Sequence, residues 1–277
     1  MKSFETLELE PVDAHVLLVR LNRPEASNAF NTQMAWDLIN LFESLATQPE
    51  NTRVVVITGT GEKAFCAGGD LGMLLPLFTG AKKPDDEWSE KLMDALGHYM
   101  STALVRPFEL YKPIIAAING VTAGGGLILA LMSDLRFASD EAALTTVFLK
   151  RGLIAEHGSS WLLPRLVGVS KALDLLWLSD KITAQEAREV GLVDRVVASE
   201  LLLDTARDYV SRLSKVTAPK AIGATKRLVY EHLGLGYEAA LRDAERVQNQ
   251  FVTAPDAIEG AQSFLERRPP EFERIGK

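Results

Sequence analysis

The sequence predicts an α/β fold that ends in a helical C-terminal region. Two segments share one plan, in which a short apolar run leads through a glycine-rich loop into a helical pattern: "RVVVITGTGEKAFCAGGD" and "KPIIAAINGVTAGGGLILALM". Apolar runs of this length, bounded by turn residues, are typical of buried strands. After Val197 the apolar spacing is almost entirely helical. We therefore predict an α/β core over residues 1–197 and a helical region over residues 198–277.

The N-terminal residues predict a hairpin followed by a helix. "FETLELE" alternates apolar and polar residues as a strand does, and "PVDA" turns the chain into a partner strand, "HVLLVRL". The polar loop "LNRPEASNAFN" comes next. From Thr32 onward the apolar residues recur at helical spacing, and Asn31 or Thr32 is the expected N-cap.

The middle of the chain is less regular. Asp70 is expected to cap a helix that begins at Leu71, although the prolines, glycine and charges of residues 72–90 favour an irregular excursion over the site. A helix is predicted over residues 88–110. In the C-terminal region, breaks between helices are expected at "TAPK", "GLG" and "TAPD".

Composition narrows the class of protein. The formal net charge is −7 and the basic residues are scattered, which argues against nucleic acid as a partner. A single cysteine, Cys66, cannot form an internal disulfide, and it indicates a reducing compartment. No run approaches eighteen uninterrupted apolar residues, so no membrane segment is expected. "MKSFETLELEP" carries no apolar signal run. We predict a cytoplasmic protein.

The two glycine-rich loops are the first candidates for chemistry. In "CAGGD" and "TAGGG", small side chains allow a ligand to approach the backbone, whose N–H groups can donate to an anion at a strand-to-helix turn. Neither loop matches G-x-x-x-x-G-K-[ST] or G-x-G-x-x-G. Each one alone is explained as a turn with close helix packing. Together, at the ends of two equivalent strands, they suggest two donors converging on one oxygen, an oxyanion hole.

Five motifs in order resemble the enoyl-CoA hydratase/isomerase (crotonase) superfamily. They are "LNRPEASNAFN", "VVVITGTGEKAFCAGGDL", "KPIIAAINGVTAGGGLILALMSDLRFAS", "GLIAEHGSSWLLPRLVG" and "ITAQEAREVGLVDRVV". The resemblance spans roughly residues 4–268. It implies a crotonase-like core of repeated ββα units, and a helical C-terminal region that builds homotrimers, often paired into hexamers as dimers of trimers. It also implies an acyl-CoA thioester substrate. No metal is expected, and no cofactor beyond the coenzyme A that the substrate carries.

The resemblance assigns residues to the site. The oxyanion-hole donors are the N–H groups of Ala67 and Gly125. Coenzyme A is expected along the segments from Glu25 to Asn28 and from Lys63 to Leu71. The residues assigned to it are Glu25, Ala26, Asn28, Lys63, Ala64, Ala67, Gly69, Asp70 and Leu71. Arg267 and Arg268 are weaker candidates for holding its phosphates.

The chain departs from the hydratases of this superfamily at two positions. Their two water-activating glutamates correspond to Ile128 and Phe148 here, and both are apolar. Related isomerases place one carboxylate before the glycine that opens the following helix, and Glu156 occupies that position. We interpret Glu156 as the base, with a pKa raised by Ile128 and Phe148, although a turn carboxylate near a helix N-terminus is the plainer interpretation. We assign Ile128, Phe148 and Leu74 to the substrate pocket.

Four further residues remain open or structural on the sequence alone. His157 can orient Glu156, carry a second proton or point outward. Cys66 is interpreted as a packing residue rather than a nucleophile, because no histidine is paired with it in the sequence. Asp134 is expected to be structural. Trp88 can line an acyl pocket or anchor the excursion.

The sequence therefore predicts an acyl-CoA enzyme, most simply a 3-enoyl-CoA to 2-enoyl-CoA isomerase with Glu156 as the proton shuttle. Two alternatives stay open at this point. One is a hydratase, or a lyase or hydrolase of the same superfamily, in which Glu156 or His157 activates water. The other is a non-catalytic subunit that binds acyl-CoA, because loss of both usual glutamates is also what decay would produce.

Overall fold

The protein contains two β-sheets, and each repeated ββα unit contributes one strand to each sheet. The computed structural model describes residues 4–12, 15–47, 52, 54–81 and 110–272. The strands are β1 (Leu7–Pro11), β2 (Val16–Leu21), β3 (Val54–Gly59), β4 (Ala64–Cys66), β5 (Ile114–Ile118), β6 (Val121–Ala123), β7 (Leu135–Ser139), β8 (Ala143–Thr145), β9 (Ile182–Thr183) and β10 (Arg195–Val197).

Ten helices lie in the described part of the chain. They are α1 (Thr32–Thr47), α2 (Leu71–Phe78), α3 (Gly125–Met132), α4 (Ser159–Val167), α5 (Val169–Leu178), α6 (Ala184–Glu189), α7 (Leu202–Val216), α8 (Pro219–His232), α9 (Tyr237–Phe251) and α10 (Pro255–Glu266). Short 3₁₀ turns cover Pro24–Ala26, Leu149–Arg151 and Ser199–Leu201.

The larger sheet has six strands in the order β1-β2-β3-β5-β7-β10. Only β1 and β2 pair in antiparallel fashion, and the remaining neighbours are parallel. Every residue of β3 and of β5 is buried, which is why both strands are continuous apolar runs rather than alternating ones. The smaller sheet has the order β4-β6-β8-β9.

Alternate residues of the large sheet pack into two hydrophobic clusters. Leu17, Val55 and Ile57 point into the main core with α1 and α3. Their neighbours Val16 and Val54 point to the other face, against α7. The period of two along each strand therefore produces a sheet covered on both faces.

The predicted fold class is confirmed. Three units run strand, strand, helix: β3-β4-α2, β5-β6-α3 and β7-β8-α4. In each unit the first strand joins the large sheet and the second joins the small one. After β10 the described elements are all helical, and their breaks fall at the three predicted motifs.

The predicted hairpin and cap are also present. β1 pairs with β2 from Leu7 opposite Leu21. Asn31 is the N-cap, because its Oδ1 accepts from the Met34 N–H at 2.8 Å. Asp134 is structural, since it accepts hydrogen bonds from the Ile114 N–H and from the side chains of Lys226 and Tyr230, and so ties α8 to the core.

One prediction was wrong. The excursion expected over residues 72–90 begins as the helix α2. Asp70 starts this helix: its carbonyl accepts from Leu74 and its side chain from Met73. The later part of the excursion, the helix expected over residues 88–110 and Trp88 lie outside the described residues. Within the described part of the chain, no helix is long and apolar enough to cross a membrane.

Candidate active site

The site is built at one edge of the small sheet. Strands β4, β6 and β8 are parallel neighbours, so their carboxyl ends meet at the same edge. "AGGD" follows β4, "GGG" follows β6, and Thr146 and Val147 follow β8. Ligands in α/β proteins are commonly bound beyond the carboxyl ends of parallel strands. The topology therefore brings together two glycine loops that are more than fifty residues apart in sequence.

Two glycines allow these loops to approach each other. A Cβ on Gly126 would lie 2.3 Å from the Cys66 carbonyl oxygen. Gly68 has φ of +93°, and a Cβ there would lie 2.8 Å from the Ala123 carbonyl oxygen and 3.5 Å from the Gly125 nitrogen. A side chain at either position would force the loops apart, so small residues are required for the close approach.

The two predicted donors differ in their present partners. The Ala67 N–H donates to the Ser27 carbonyl oxygen at 3.1 Å. Gly125 is the first residue of α3, so its N–H has no acceptor within the helix. No described side chain caps this helix, whose N-cap is Gly124. The second loop therefore presents a helix start that side chains leave uncapped.

A cavity of about 890 Å³ connects both loops to Glu156 and His157. Ala67 and Gly125 line it, as do the side chains of Leu74 and Phe148. Ile128, assigned to the substrate pocket on the sequence, is fully buried in the hydrophobic core and is absent from the described lining. The Phe148 ring rather than Ile128 supplies apolar surface near the glycine loop.

A left-handed turn presents Glu156 and His157 to the cavity. His157 has φ of +52° and Gly158 has φ of +79°, and α4 begins at the next residue. The imidazole Nε2 of His157 lies 3.7 Å from the Glu156 carboxylate, and the two side chains are 14% and 31% exposed. Hence His157 does not point outward, which excludes one of its three interpretations.

Burial shifts both of these groups toward their neutral forms. It raises the pKa of the Glu156 carboxyl above its ordinary value, because the charged form is desolvated. It lowers the pKa of the His157 imidazole for the same reason. A carboxylate with a raised pKa is better matched to accepting and returning a proton near neutral pH.

The residues assigned to coenzyme A fall into three groups. Five of them line the cavity: Ala26, Ala67, Gly69, Asp70 and Leu71. Glu25 and Lys63 are exposed outside the described lining. Asn28 and Ala64 are buried. The Asn28 side chain donates to the carbonyl oxygens of Thr60 and Ala64 and accepts from the Arg23 N–H, so its role is to hold the loops together rather than to contact a ligand.

Asp70 is held by an ion pair that the sequence analysis missed. Arg23 Nη2 lies 3.0 Å from the Asp70 carboxylate, and Arg23 Nη1 donates to the Ala29 carbonyl oxygen. This joins the polar loop before α1 to the first glycine loop. The only sequence signal was the position of Arg23 within "LNRPEASNAFN". Asp70 is therefore engaged both as a helix start and as an ion-pair partner.

Three more cavity residues were not identified from the sequence. Val147 lines the cavity with φ of +52°, an unfavourable conformation for a β-branched residue, and nothing in the sequence signals it. Arg151 and Lys181 also line the cavity. Their preceding residues in the sequence, Lys150 and Asp180, form no motif that would indicate a ligand-binding role.

Cys66 is a packing residue, as predicted. It is fully buried, and burial raises the pKa of its thiol to about 12, so the nucleophilic thiolate is disfavoured. Arg268 bonds to Glu259 and Glu266 within the chain. Among the described residues, no group of His, Cys, Asp and Glu side chains is arranged to hold a metal ion.

A family model described as enoyl-CoA hydratase/isomerase matches residues 12–275. The chain belongs to the enoyl-CoA hydratase/isomerase family. It is therefore an enzyme of that family with the crotonase fold, and the interpretation as a non-catalytic subunit is set aside. An acyl-CoA thioester is the substrate class that fits the family.

Relatives within the family carry out different reactions. The chain is 35% identical over 274 residues to (E)-benzylidenesuccinyl-CoA hydratase from Thauera aromatica, covering 94% of this chain and 96% of that one. It is 33% identical over 268 residues to 1,2-epoxyphenylacetyl-CoA isomerase from Escherichia coli (strain K12), covering 95% and 97%. The crystal structure of an enoyl-CoA hydratase from Bacillus anthracis superposes with a TM-score of 0.87 at 31% identity, covering 97% and 99%. Identity at this level shows the family of the enzyme but not its reaction.

Proposed function

We propose that the protein is an enoyl-CoA isomerase that converts a 3-enoyl-CoA into a 2-enoyl-CoA. The observation that supports this is that one cavity is lined by both glycine loops and by Glu156. The two sequence positions that correspond to the hydratase glutamates, Ile128 and Phe148, are apolar. One carboxylate beside an oxyanion hole is sufficient for moving a proton between two carbons of the same substrate.

In the proposed reaction, the thioester oxygen accepts hydrogen bonds from the Gly125 and Ala67 N–H groups. Glu156 removes a proton from C2, and the electron pair is delocalised over the thioester oxygen and the C3–C4 double bond as a dienolate. The N–H donors stabilise that developing charge. The protonated Glu156 then returns the proton to C4, which leaves the double bond between C2 and C3. No atom is gained or lost.

The Ala67 donor requires a change of partner in this reaction. Its N–H is 3.1 Å from the Ser27 carbonyl oxygen, so a thioester oxygen must share or replace that bond. Gly125 has no such competitor within its helix. We therefore assign the larger part of the oxyanion stabilisation to Gly125.

Glu156 is favoured as the base over the other cavity carboxylate. Asp70 is bound by Arg23 and caps α2, so its lone pairs are engaged. The burial of Glu156 raises its pKa, which improves proton return after abstraction. His157 stays neutral near pH 7 because burial lowers its pKa, so it can orient Glu156 or accept a proton.

A second candidate is a hydratase, or a lyase or hydrolase of the same family. One observation favours it: Glu156 and His157 are two proton-carrying groups 3.7 Å apart, and water activation uses such a pair. The Thauera aromatica relative is named a hydratase. In this alternative, Glu156 or His157 takes a proton from water.

Ultraviolet absorbance distinguishes these candidates. Purified protein is mixed separately with a 3-enoyl-CoA and with a 2-enoyl-CoA. An isomerase raises the absorbance of the conjugated enoyl thioester in the first mixture and leaves the second nearly constant. A hydratase lowers it in the second mixture. No change in either mixture, with folded protein, would contradict both the isomerase and the hydratase.

The assembly and the location are further parts of the proposal. We expect a homotrimer or a hexamer and a cytoplasmic location. The apolar face of α7 does not bear on this, because Leu202 and Val210 pack against the large sheet of the same chain. Apolar side chains elsewhere are exposed on the single chain, including Tyr237 at 80% and Phe264 at 82%, and their burial would favour association. Light scattering at micromolar concentration should give a trimer or hexamer mass, and a stable monomer would contradict the assembly.

A further inference from the structure

Some of the ionisable side chains that line the cavity have a described partner for their charge, and others do not. The ionisable described residues of the cavity are Asp70, Arg151, Glu156, His157 and Lys181. The Asp70 carboxylate forms an ion pair with the Arg23 guanidinium at 3.0 Å. Glu156 lies beside His157. Two cations, Arg151 and Lys181, remain.

These two cations lie on segments that are joined to each other. The Lys150 ammonium is 2.5 Å from the Asp180 carboxylate, and these residues directly precede Arg151 and Lys181. This exposed ion pair connects the 3₁₀ turn that carries Arg151 to the residues just before β9, where Lys181 lies. It also uses Asp180, the nearest carboxylate in sequence to Lys181. Within the described part of the chain, neither Arg151 nor Lys181 has an ion pair of its own.

Their position relates them to the reacting end of the substrate. Arg151 is on the same segment as Glu156, five residues before it. The residues assigned to coenzyme A come from other segments, residues 25–28 and 63–71. Both cations share the cavity with Glu156 and lie on segments other than those assigned to coenzyme A, which favours contact with the acyl group over contact with the nucleotide.

We propose that the acyl group of the substrate carries a second carboxylate, and that Arg151, assisted by Lys181, binds it. The planar guanidinium of arginine can donate two parallel hydrogen bonds to a carboxylate. Arg151 and Lys181 are both exposed at the cavity, and within the described residues neither has an ion-pair partner. A hydrocarbon chain seated against them would displace part of their hydration without supplying a partner, whereas a carboxylate would supply one. The substrate class is therefore the monothioester of a dicarboxylic acid with coenzyme A. The inference depends on the proposed function only in that an acyl-CoA occupies the cavity.

The same cations could instead bind a phosphate of coenzyme A, so binding measurements must separate the two anions. Succinyl-, glutaryl-, adipoyl- and suberoyl-CoA are each paired with the saturated monocarboxylic thioester of equal chain length, and free coenzyme A is added as a third ligand. Affinities are measured by isothermal titration calorimetry. Saturated thioesters have no double bond to move, so the result stands even if the protein is not an isomerase.

We expect one or more dicarboxylic thioesters to bind more tightly than their monocarboxylic partners. Arg151→Gln should reduce that preference by about tenfold to a hundredfold, the loss of a hydrogen bond to a charged group. Lys181→Gln should reduce it less, and Arg151→Lys should retain part of it because the charge stays while the two-pronged geometry is lost. Lys171→Gln is the matched control: it removes a cation that pairs with Asp174 and is outside the described lining, and it should leave the preference intact.

Two results would overturn the proposal. In one, the wild-type protein shows no preference for a carboxylate at any chain length. In the other, Arg151→Gln weakens free coenzyme A and both thioesters by the same factor, which would assign the cations to a phosphate. If Arg151→Gln does not fold, as judged by circular dichroism, Arg151→Lys and Lys181→Gln provide the same comparison.

Discussion

The two ββα units that supply the glycine loops differ in how their helices are buried. In β5-β6-α3, all eight residues of the helix are buried. In β3-β4-α2, the helix exposes Leu71 at 42% and Leu75 at 60%, and it contains Pro76. One helix belongs to the hydrophobic core and the other forms a wall of the cavity.

The N-termini of these two helices also differ, in whether a side chain caps them. Asp70 caps α2 with its side chain, whereas no described side chain caps α3. A buried helix start whose N–H groups are not used by a cap is held rigidly in a low-dielectric region, where such donors are strongest. In the proposed reaction, this difference favours Gly125 of the second unit as the stronger oxyanion donor and the α2 side chains of the first unit as contacts of the acyl group.

The largest expected effect concerns the base, which neither unit supplies. Glu156→Gln keeps the shape of the side chain and removes proton transfer, so isomerisation should fall by about a hundredfold or more. The variant should also stop exchanging the α proton of a saturated acyl-CoA with deuterium from solvent, as measured by mass spectrometry. Wild-type exchange should rise with pH through the raised pKa of Glu156, because only the ionised form is a base.

His157→Gln is the comparison for that experiment. If exchange survives in Glu156→Gln but vanishes in His157→Gln, the base is the histidine and the assignment fails. Slower exchange in His157→Gln with full loss in Glu156→Gln would identify His157 as a positioning residue.

The next effect tests the difference between the two donors. Gly125→Pro removes an N–H at the first residue of α3, a position where proline is compatible with a helix, and should reduce turnover by about a hundredfold. Ala67→Pro removes a donor and also the bond to Ser27, so it should lower both turnover and the melting temperature. Near-normal turnover in a folded Gly125→Pro protein would remove Gly125 from the oxyanion hole.

Packing of the two helices can be compared with one substitution in each. Gly126→Ala in α3 places a Cβ 2.3 Å from the Cys66 carbonyl oxygen and should lower the free energy of unfolding by about 1–3 kcal/mol or more. Gly72→Ala in α2 meets only the end of the Asp70 side chain, at 3.3 Å. Its effect should lie within about 1 kcal/mol of zero, because alanine also favours helix. Denaturant unfolding measures both, and equal losses would contradict the difference in burial.

The smallest effect is on the pH dependence of stability. Burial lowers the pKa of His157 in the folded protein below its ordinary value of 6.5. Above that pH both folded and unfolded states are neutral at this residue. As the pH falls below it, the unfolded chain takes up the proton first, so the folded protein loses stability. His157→Gln should therefore lose less stability than the wild type when the pH is lowered from about 7 to about 5, measured by thermal unfolding at each pH.

Much of the fold could be predicted because its signals are local. The buried strands β3 and β5 are continuous apolar runs, and the helix breaks after Val197 occur at proline and glycine motifs. The helix α2 was predicted only at its start, through Asp70. Its composition, with Pro76 and exposed leucines, resembles a loop, because Leu71 and Leu74 line the cavity and Leu75 is exposed rather than packed in the core.

The sequence by itself predicted two strand–loop–helix segments and the helical C-terminal region. Its resemblance to the family implied the repeated ββα units and the replacement of both usual glutamates by Ile128 and Phe148. The predictions from the residues depend on residue type and on spacing along the chain, and those from the resemblance depend on the order of the five motifs. Only the tertiary structure decided that Phe148 faces the cavity while Ile128 is in the core, that Asn28 fastens loops, and that Arg151 and Lys181 share the cavity with Glu156. These depend on side-chain direction and on contacts between distant segments, which the parallel ends of β4, β6 and β8 bring to one edge of a sheet.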